Sequence, residues 1–150
     1  MVHETVTWLQ RIKFVEAEHS AANLAAIHFL KSIVQDTSIL KKLVTLRDVK
    51  TMASQLEGTY VVRLFAEFET GLRLFWPTAR TKEPPNRTAH MLDGLAATRR
   101  IPSKILEHAH RVREYRNALI HEREEPVEPI SISESRGHLC RFFSYLPPRW

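Results

Sequence analysis

The sequence predicts an all-α fold, an up-and-down helical bundle of about five to six helices making one domain over residues 1–150, and three observations lead there. Apolar residues recur at the three-and-four spacing of amphipathic helices along most of the chain. No segment shows the strict alternation of a strand. Only four glycines occur in 150 residues, which leaves little material for β-turns. A chain of this length buries ~70% of its unfolded surface in one core.

The first helix is expected over residues 5 to 35, where Trp8, Ile12, Val15, His19, Ala22, Ala26, Phe29 and Ile33 form a seam that packs lengthwise on a neighbour. His19 reads as a partly buried histidine rather than a ligand, since it has no companion at i+3 or i+4. Asp36, Thr37 and Ser38 break the pattern and offer caps for a short helix through Leu46. Asp48 is then the expected cap of a long helix ended by Pro77, with Val61, Leu64, Phe65, Phe68, Leu72, Phe75 and Trp76 as the central packing face. Gly71 permits close helix approach there. Residues 77 to 87 are polar and proline-rich, a linker between helices rather than domains.

Thr88 or Asn86 is expected to cap a helix through Thr98, with Met91, Leu92, Leu95 and Ala96 inward. Pro102 opens the next, through about Arg123, and acidic Glu122, Glu124 and Glu125 with two prolines mark its end. Ser131 and Glu134 have the spacing of a capping box for a last helix through Leu146. Pro147 to Trp150 are expected to form a tail.

Composition narrows the function classes. Net charge is +5 and the sequence pI is about 9.7, an excess rich in arginine that favours a polyanionic partner. No run approaches the ~18–20 apolar residues of a membrane span, and the N-terminus lacks a signal-peptide profile. The lone Cys140 forms no internal disulfide, in keeping with a reducing compartment, so a cytoplasmic location away from membranes is expected. His3, His28, His90 and His138 have no companion at zinc spacing, and His108 and His110 face different ways on a helix. No metal and no cofactor is expected, and no glycine-rich phosphate loop occurs.

The chemistry concentrates in Arg113-Glu114-Tyr115-Arg116-Asn117-Ala118-Leu119-Ile120-His121. At roughly 100° per residue, Ile105, Ala109, Val112, Tyr115, Leu119 and Ile120 share one arc, and Arg116 falls near its middle. A cation there needs a partner or a ligand. Glu69, on the edge of the long helix's apolar face, is one partner for it; Glu69 pairing with Arg73 at i+4 is the other reading. Arginine holds phosphate oxygens with a planar, permanently charged fork. An imidazole moves protons near neutrality, and Asn117 orients the scissile group or the ring. On a straight helix Arg116 and His121 diverge by roughly 140°, with alpha carbons ~7.5 Å apart along the axis, so they do not touch but reach toward one phosphodiester.

Arg116-Asn117-Ala118-Leu119-Ile120-His121, preceded by Arg113-Glu114-Tyr115 on the penultimate helix of a small helical chain, resembles the Arg-x4-6-His signature of the HEPN superfamily. The polar Asn117 conforms to the position after the arginine. The likeness is specific over residues 111 to 123 and loose elsewhere. It implies a helical bundle that pairs as a homodimer, with the two motif helices meeting across a cleft. It also implies a metal-independent endoribonuclease, of the kind that serves as toxin in toxin-antitoxin or phage-defence systems, with RNA as substrate and a nucleotidyltransferase-type antitoxin as partner. The catalytic residues carry over to Arg116, Asn117 and His121, with Arg113 and Glu69 as substrate-binding or supporting residues. Some members only bind nucleotides or proteins, so a catalytically inactive binding module is the alternative, and a plain helical dimerisation subunit with an Arg116 to Glu69 bridge is the third reading.

Overall fold

A computed structural model describes residues 2–80, 83–121 and 126–150. Five α-helices occupy most of the chain: α1 (Thr5–Gln35), α2 (Leu46–Ala79), α3 (Thr88–Arg99), α4 (Ser103–Ile120) and α5 (Ile132–Phe143), with one 3-10 turn at Thr37–Leu40. Among the described residues there is no strand, only an isolated bridge between Glu4 and Arg149. The all-helical bundle expected from the periodicity is the fold. No helix among the described residues is long and apolar enough to cross a membrane.

The core is built on the apolar face of α2. Leu64, Phe65, Phe68, Leu72, Phe75 and Trp76 are buried there and meet Trp8, Ile12 and Val15 of α1, Met91, Leu92 and Leu95 of α3, and Leu139, Phe142 and Phe143 of α5. Phe68 stands at the centre, with ring centroids of Phe65, Phe142 and Phe143 at 5.6, 5.7 and 6.1 Å. Gly71 makes this closeness possible: a Cβ there would lie 2.8 Å from Phe143 Cζ and 3.0 Å from Trp8 Cδ2. Glu67 of α2, half-buried, binds the largely exposed Arg11 of α1 at 3.0 Å.

The core takes no buried residue from positions 16 to 60. At 31 and 34 residues, α1 and α2 are ~46 and ~51 Å long, against ~18 Å for the 12-residue α3 and α5, so their far halves run on as a two-helix arm. Ala26, Ile33 and Val49 are buried along that arm, while Leu24, Val34 and Leu43 stay 60%, 73% and 88% exposed.

Several boundaries differ from expectation, each for a local reason. The segment before α2 is a 3-10 turn, with Lys41 and Lys42 at positive φ, rather than a helix through Leu46. Thr45 caps α2: its hydroxyl accepts from Asp48 N at 3.2 Å while Asp48 accepts from Thr45 N at 2.8 Å, so Asp48 is the third-position partner of a reciprocal capping box. Pro77 lies within α2, which continues to Ala79; in the last turn its ring forfeits one hydrogen bond, and Arg80 N still reaches Trp76 O at 2.9 Å. Arg87, not Thr88 or Asn86, is the N-cap residue of α3, because the Thr88 hydroxyl is drawn to Glu69. Pro102 precedes α4 as its N-cap residue.

Helix α4 stops at Ile120, since His121 is already extended (φ −116, ψ 130), and residues 122–125, where the helix end and acidic bend were expected, lie outside the described residues. Of the expected inward arc of α4, Ala109 and Val112 are buried, but Leu119 and Ile120 are 40% and 45% exposed. The last four residues are not a free tail. His3 N donates to Trp150 O at 2.8 Å and Trp150 N to His3 O at 3.0 Å, the Thr5 hydroxyl donates to Pro147 O, and the Trp150 indole packs on Phe75 and Phe143.

Candidate functional site

Helix α4 places its motif against the middle of α2 because Ala109 and Val112 anchor it in the core. One turn further on, Arg116 is half-buried, its guanidinium 5.7 Å from the centre of the Phe65 ring. Its Nη1 donates to Asn117 Oδ1 at 2.9 Å. Its Nε is buried and has no hydrogen-bond partner among the described residues. None of the ion pairs among those residues includes Arg116.

Glu69 has other business. Its Oε1 accepts from Arg73 Nη2 at 2.7 Å, from Arg73 Nε at 3.1 Å and from the Thr88 hydroxyl at 2.7 Å. Arg73 in turn donates to the carbonyls of Pro85 and Asn86 at 3.0 and 3.3 Å. Of the two sequence readings of Glu69, the structure takes the local one. The pair clamps the chain before α3 onto α2, and with it the first turn of α3. The bridge from Arg116 to Glu69 is absent, and only the field of the arginine reaches that carboxylate.

Burial pushes the Glu69 carboxyl up; hydrogen bonds from Thr88 and Arg73 and the charges of Arg73 and Arg116 outweigh it, so its pKa falls below the ordinary 4.5. A depressed carboxylate contributes stability above its unfolded value, and that contribution disappears as pH falls through the folded value. Glu69→Gln is therefore expected to melt below the native protein near neutrality, with the gap closing as pH falls below the ordinary carboxylate value of 4.5 and through the lower folded one. Thermal melts across that range check it, and a gap independent of pH contradicts the clamp.

Between α3 and α4 opens a cavity of about 280 Å³. Arg113, Arg116 and Asn117 line it from α4, Arg87, Thr88 and His90 from the start of α3, and Phe65 of α2 also lines it. No carboxylate lines it among the described residues. Arg113 is also half-buried; its Nη2 donates to Glu114 at 3.1 Å and its Nε is buried without a partner among the described residues. A larger groove of about 510 Å³, bordered by Gly58, Tyr115 and Leu119, has Glu57 as its one charged lining residue among those described, and no cation there to draw an anion.

His121 is exposed and is not among the residues lining the cavity. Its N–H donates to Asn117 O at 3.0 Å. Because the helix ends there, the direction of the imidazole is no longer fixed by helical phase. The structure thus joins Arg113, Arg116 and Asn117 in one cavity, sets Glu69 behind its wall, and places His121 at the C-terminal cap of α4, outside the cavity lining.

Arg87 and His90 were not singled out as site residues by the sequence. No spacing announces them, because they reach the cavity through the packing of α3 on α4 across a linker. His110 bonds Asp93 at 2.7 Å and the rings of His108 and His138 lie 4.2 Å apart, but no group of three His, Cys, Asp or Glu side chains among the described residues converges to hold a metal. Comparison with known protein families, characterised proteins and solved structures finds no match to this chain.

Proposed function

We propose that this protein is a metal-independent endoribonuclease of HEPN type, acting as a homodimer in which Arg116, Asn117 and His121 of two copies form a composite site. The observation that supports this most is the state of Arg116: half-buried, facing an open cavity, and without a carboxylate partner among the described residues. A structural arginine is normally neutralised by its surroundings. This one is held by an aromatic ring and an amide, and is available to an anion.

The separation of His121 from the cavity favours two copies over one. Around a two-fold axis the exposed end of α4, with Leu119 and Ile120, meets its counterpart, and the histidine of one chain is brought to the arginine of the other. Within such a site the ribose 2′-hydroxyl loses its proton to an imidazole and attacks the adjacent phosphorus. The P–O5′ bond breaks as the leaving oxygen takes up a proton, and a 2′,3′-cyclic phosphate remains. Arg116 and Asn117 hold the non-bridging oxygens while negative charge grows on them. A nucleotidyltransferase-type antitoxin is the partner this reading implies.

The test is an RNA incubated with the protein in excess chelator. Cleavage to a cyclic phosphate end is expected, with none at a 2′-deoxy linkage and none with Arg116→Ala. Since Arg116 forms no ion pair among the described residues, the melting temperature of Arg116→Ala is expected to stay within a few degrees of the native value. Intact RNA with the native dimer, alongside saturable binding of a nucleotide, favours instead the inactive binding module.

A further inference from the structure

We propose that the cavity between α3 and α4 is a binding site for a phosphate monoester, held by Arg87 and His90 of α3 together with Arg113, Arg116 and Asn117 of α4. It rests on the ribonuclease reading in taking the end of an RNA strand as the source of that phosphate, and the monoester and the scissile phosphodiester occupy Arg116 and Asn117 by turns rather than together.

Charge selects the ligand class. Three guanidiniums line the cavity, of which Arg113 is paired with Glu114 at 3.1 Å. Among the described residues Arg87 and Arg116 have no carboxylate partner and no acid lines the walls. Two uncompensated positive charges match a dianionic monoester, whereas an internal phosphodiester carries one charge and satisfies only half of them. The imidazole of His90, which makes no hydrogen bond or ion pair with the described residues, adds a further donor.

The hydrogen-bond accounting agrees. Arg113 Nε and Arg116 Nε are buried donors without acceptors, and groups of this kind are rare unless a water or a ligand satisfies them. The amide oxygen of Asn117 is taken by Arg116 at 2.9 Å, which leaves its NH2 free to donate. Every polar group left over on α4 in this cavity is thus a donor. About 280 Å³ is the space of roughly nine water molecules, enough for a phosphate and its sugar but not for a whole nucleotide strand. The α3 wall is prepared in advance, because Glu69 and Arg73 fix Thr88 and the residues before it.

The experiment measures binding of an uncleavable 2′-O-methyl oligonucleotide to the full chain by fluorescence anisotropy, with a 5′-phosphate, a 3′-phosphate or hydroxyls at both ends. At least tenfold tighter binding of one phosphorylated form is expected. The preference is expected to fall below twofold in the Arg87→Ala, His90→Ala double variant, whose altered side chains are exposed and leave the fold intact. Competition by AMP but not by adenosine, with no preference among the oligonucleotides, supports the phosphate site with a free nucleotide as its occupant. Equal binding of all oligonucleotides with no competition by AMP overturns the proposal, as does a preference that survives the double variant. RNA cleavage is scored separately, so loss of the ribonuclease reading leaves this outcome legible.

Discussion

Replacing His121 with alanine is expected to lower the rate of RNA cleavage by ~10²- to 10⁴-fold, the usual contribution of a positioned acid or base. The same variant should melt within about 2 °C of the native protein, as surface substitutions generally do. The side chain is exposed, ends α4, and makes no hydrogen bond with the described residues; its backbone bond to Asn117 O survives the change. Stability and rate are thereby separated. Binding of an uncleavable oligonucleotide by the variant should remain close to native, since His121 lies outside the arginine cavity. Single-turnover cleavage assays decide the matter, and a variant that cuts RNA at the native rate removes His121 from the chemistry.

The second large effect is on stability. Phe68→Ala is expected to cost ~3–5 kcal/mol, because a fully buried ring is removed and its surroundings cannot close the space. Phe65, Phe142 and Phe143 all pack on that ring from two helices, with α2 itself fixed by Gly71 against Phe143 and Trp8. Against a typical total of ~5–15 kcal/mol, that is a drop of about 10 °C in melting temperature for a domain of this size. Phe68→Leu retains much of the volume and should lose clearly less. Thermal melts of the pair check it; an alanine variant as stable as the native protein would mean that the core is not organised around this ring.

The two differ in how far the sequence reveals them. Phe68 was legible because α2 repeats large apolar residues at helical spacing for four turns, and burial follows directly from that pattern. Arg116 was legible for the same reason, being a polar interruption of a periodic face, whereas Asn117 and Arg113 were read from their places in the motif around it. Thr45 was missed as a cap because Asp48 carries the stronger single-residue signal, whereas the actual device needs both. Pro77 read as a terminator, although a proline in a final turn gives up very little. Leu119 and Ile120 read as core because periodicity does not tell a helix end covered on one side, as Leu119 is at Gly58 of α2, from one that is enclosed.

The docking of Trp150 on Phe75, and the arrival of Arg87 and His90 beside Arg116, depend on contacts between segments far apart in the chain. Nothing local encodes them. Charge balance had a similar limit: the sequence offered Glu69 two arginines, and only the turn before α3, with its carbonyls presented to Arg73, decides between them.

Helix α2 is one unbroken rod from Leu46 to Ala79, and Phe65 and Glu69, one turn apart on it, border the cavity and latch its far wall. The end of that rod beside Leu43 stands ~28 Å from Phe65 and projects past the rest of the bundle. That protruding half keeps α1 as its companion, with Ala26, Ile33 and Val49 buried along the arm. The tip of the arm, the pocket's edge and its latch are thus set on one helix axis, and a shift of α2 as a rigid body carries all three together.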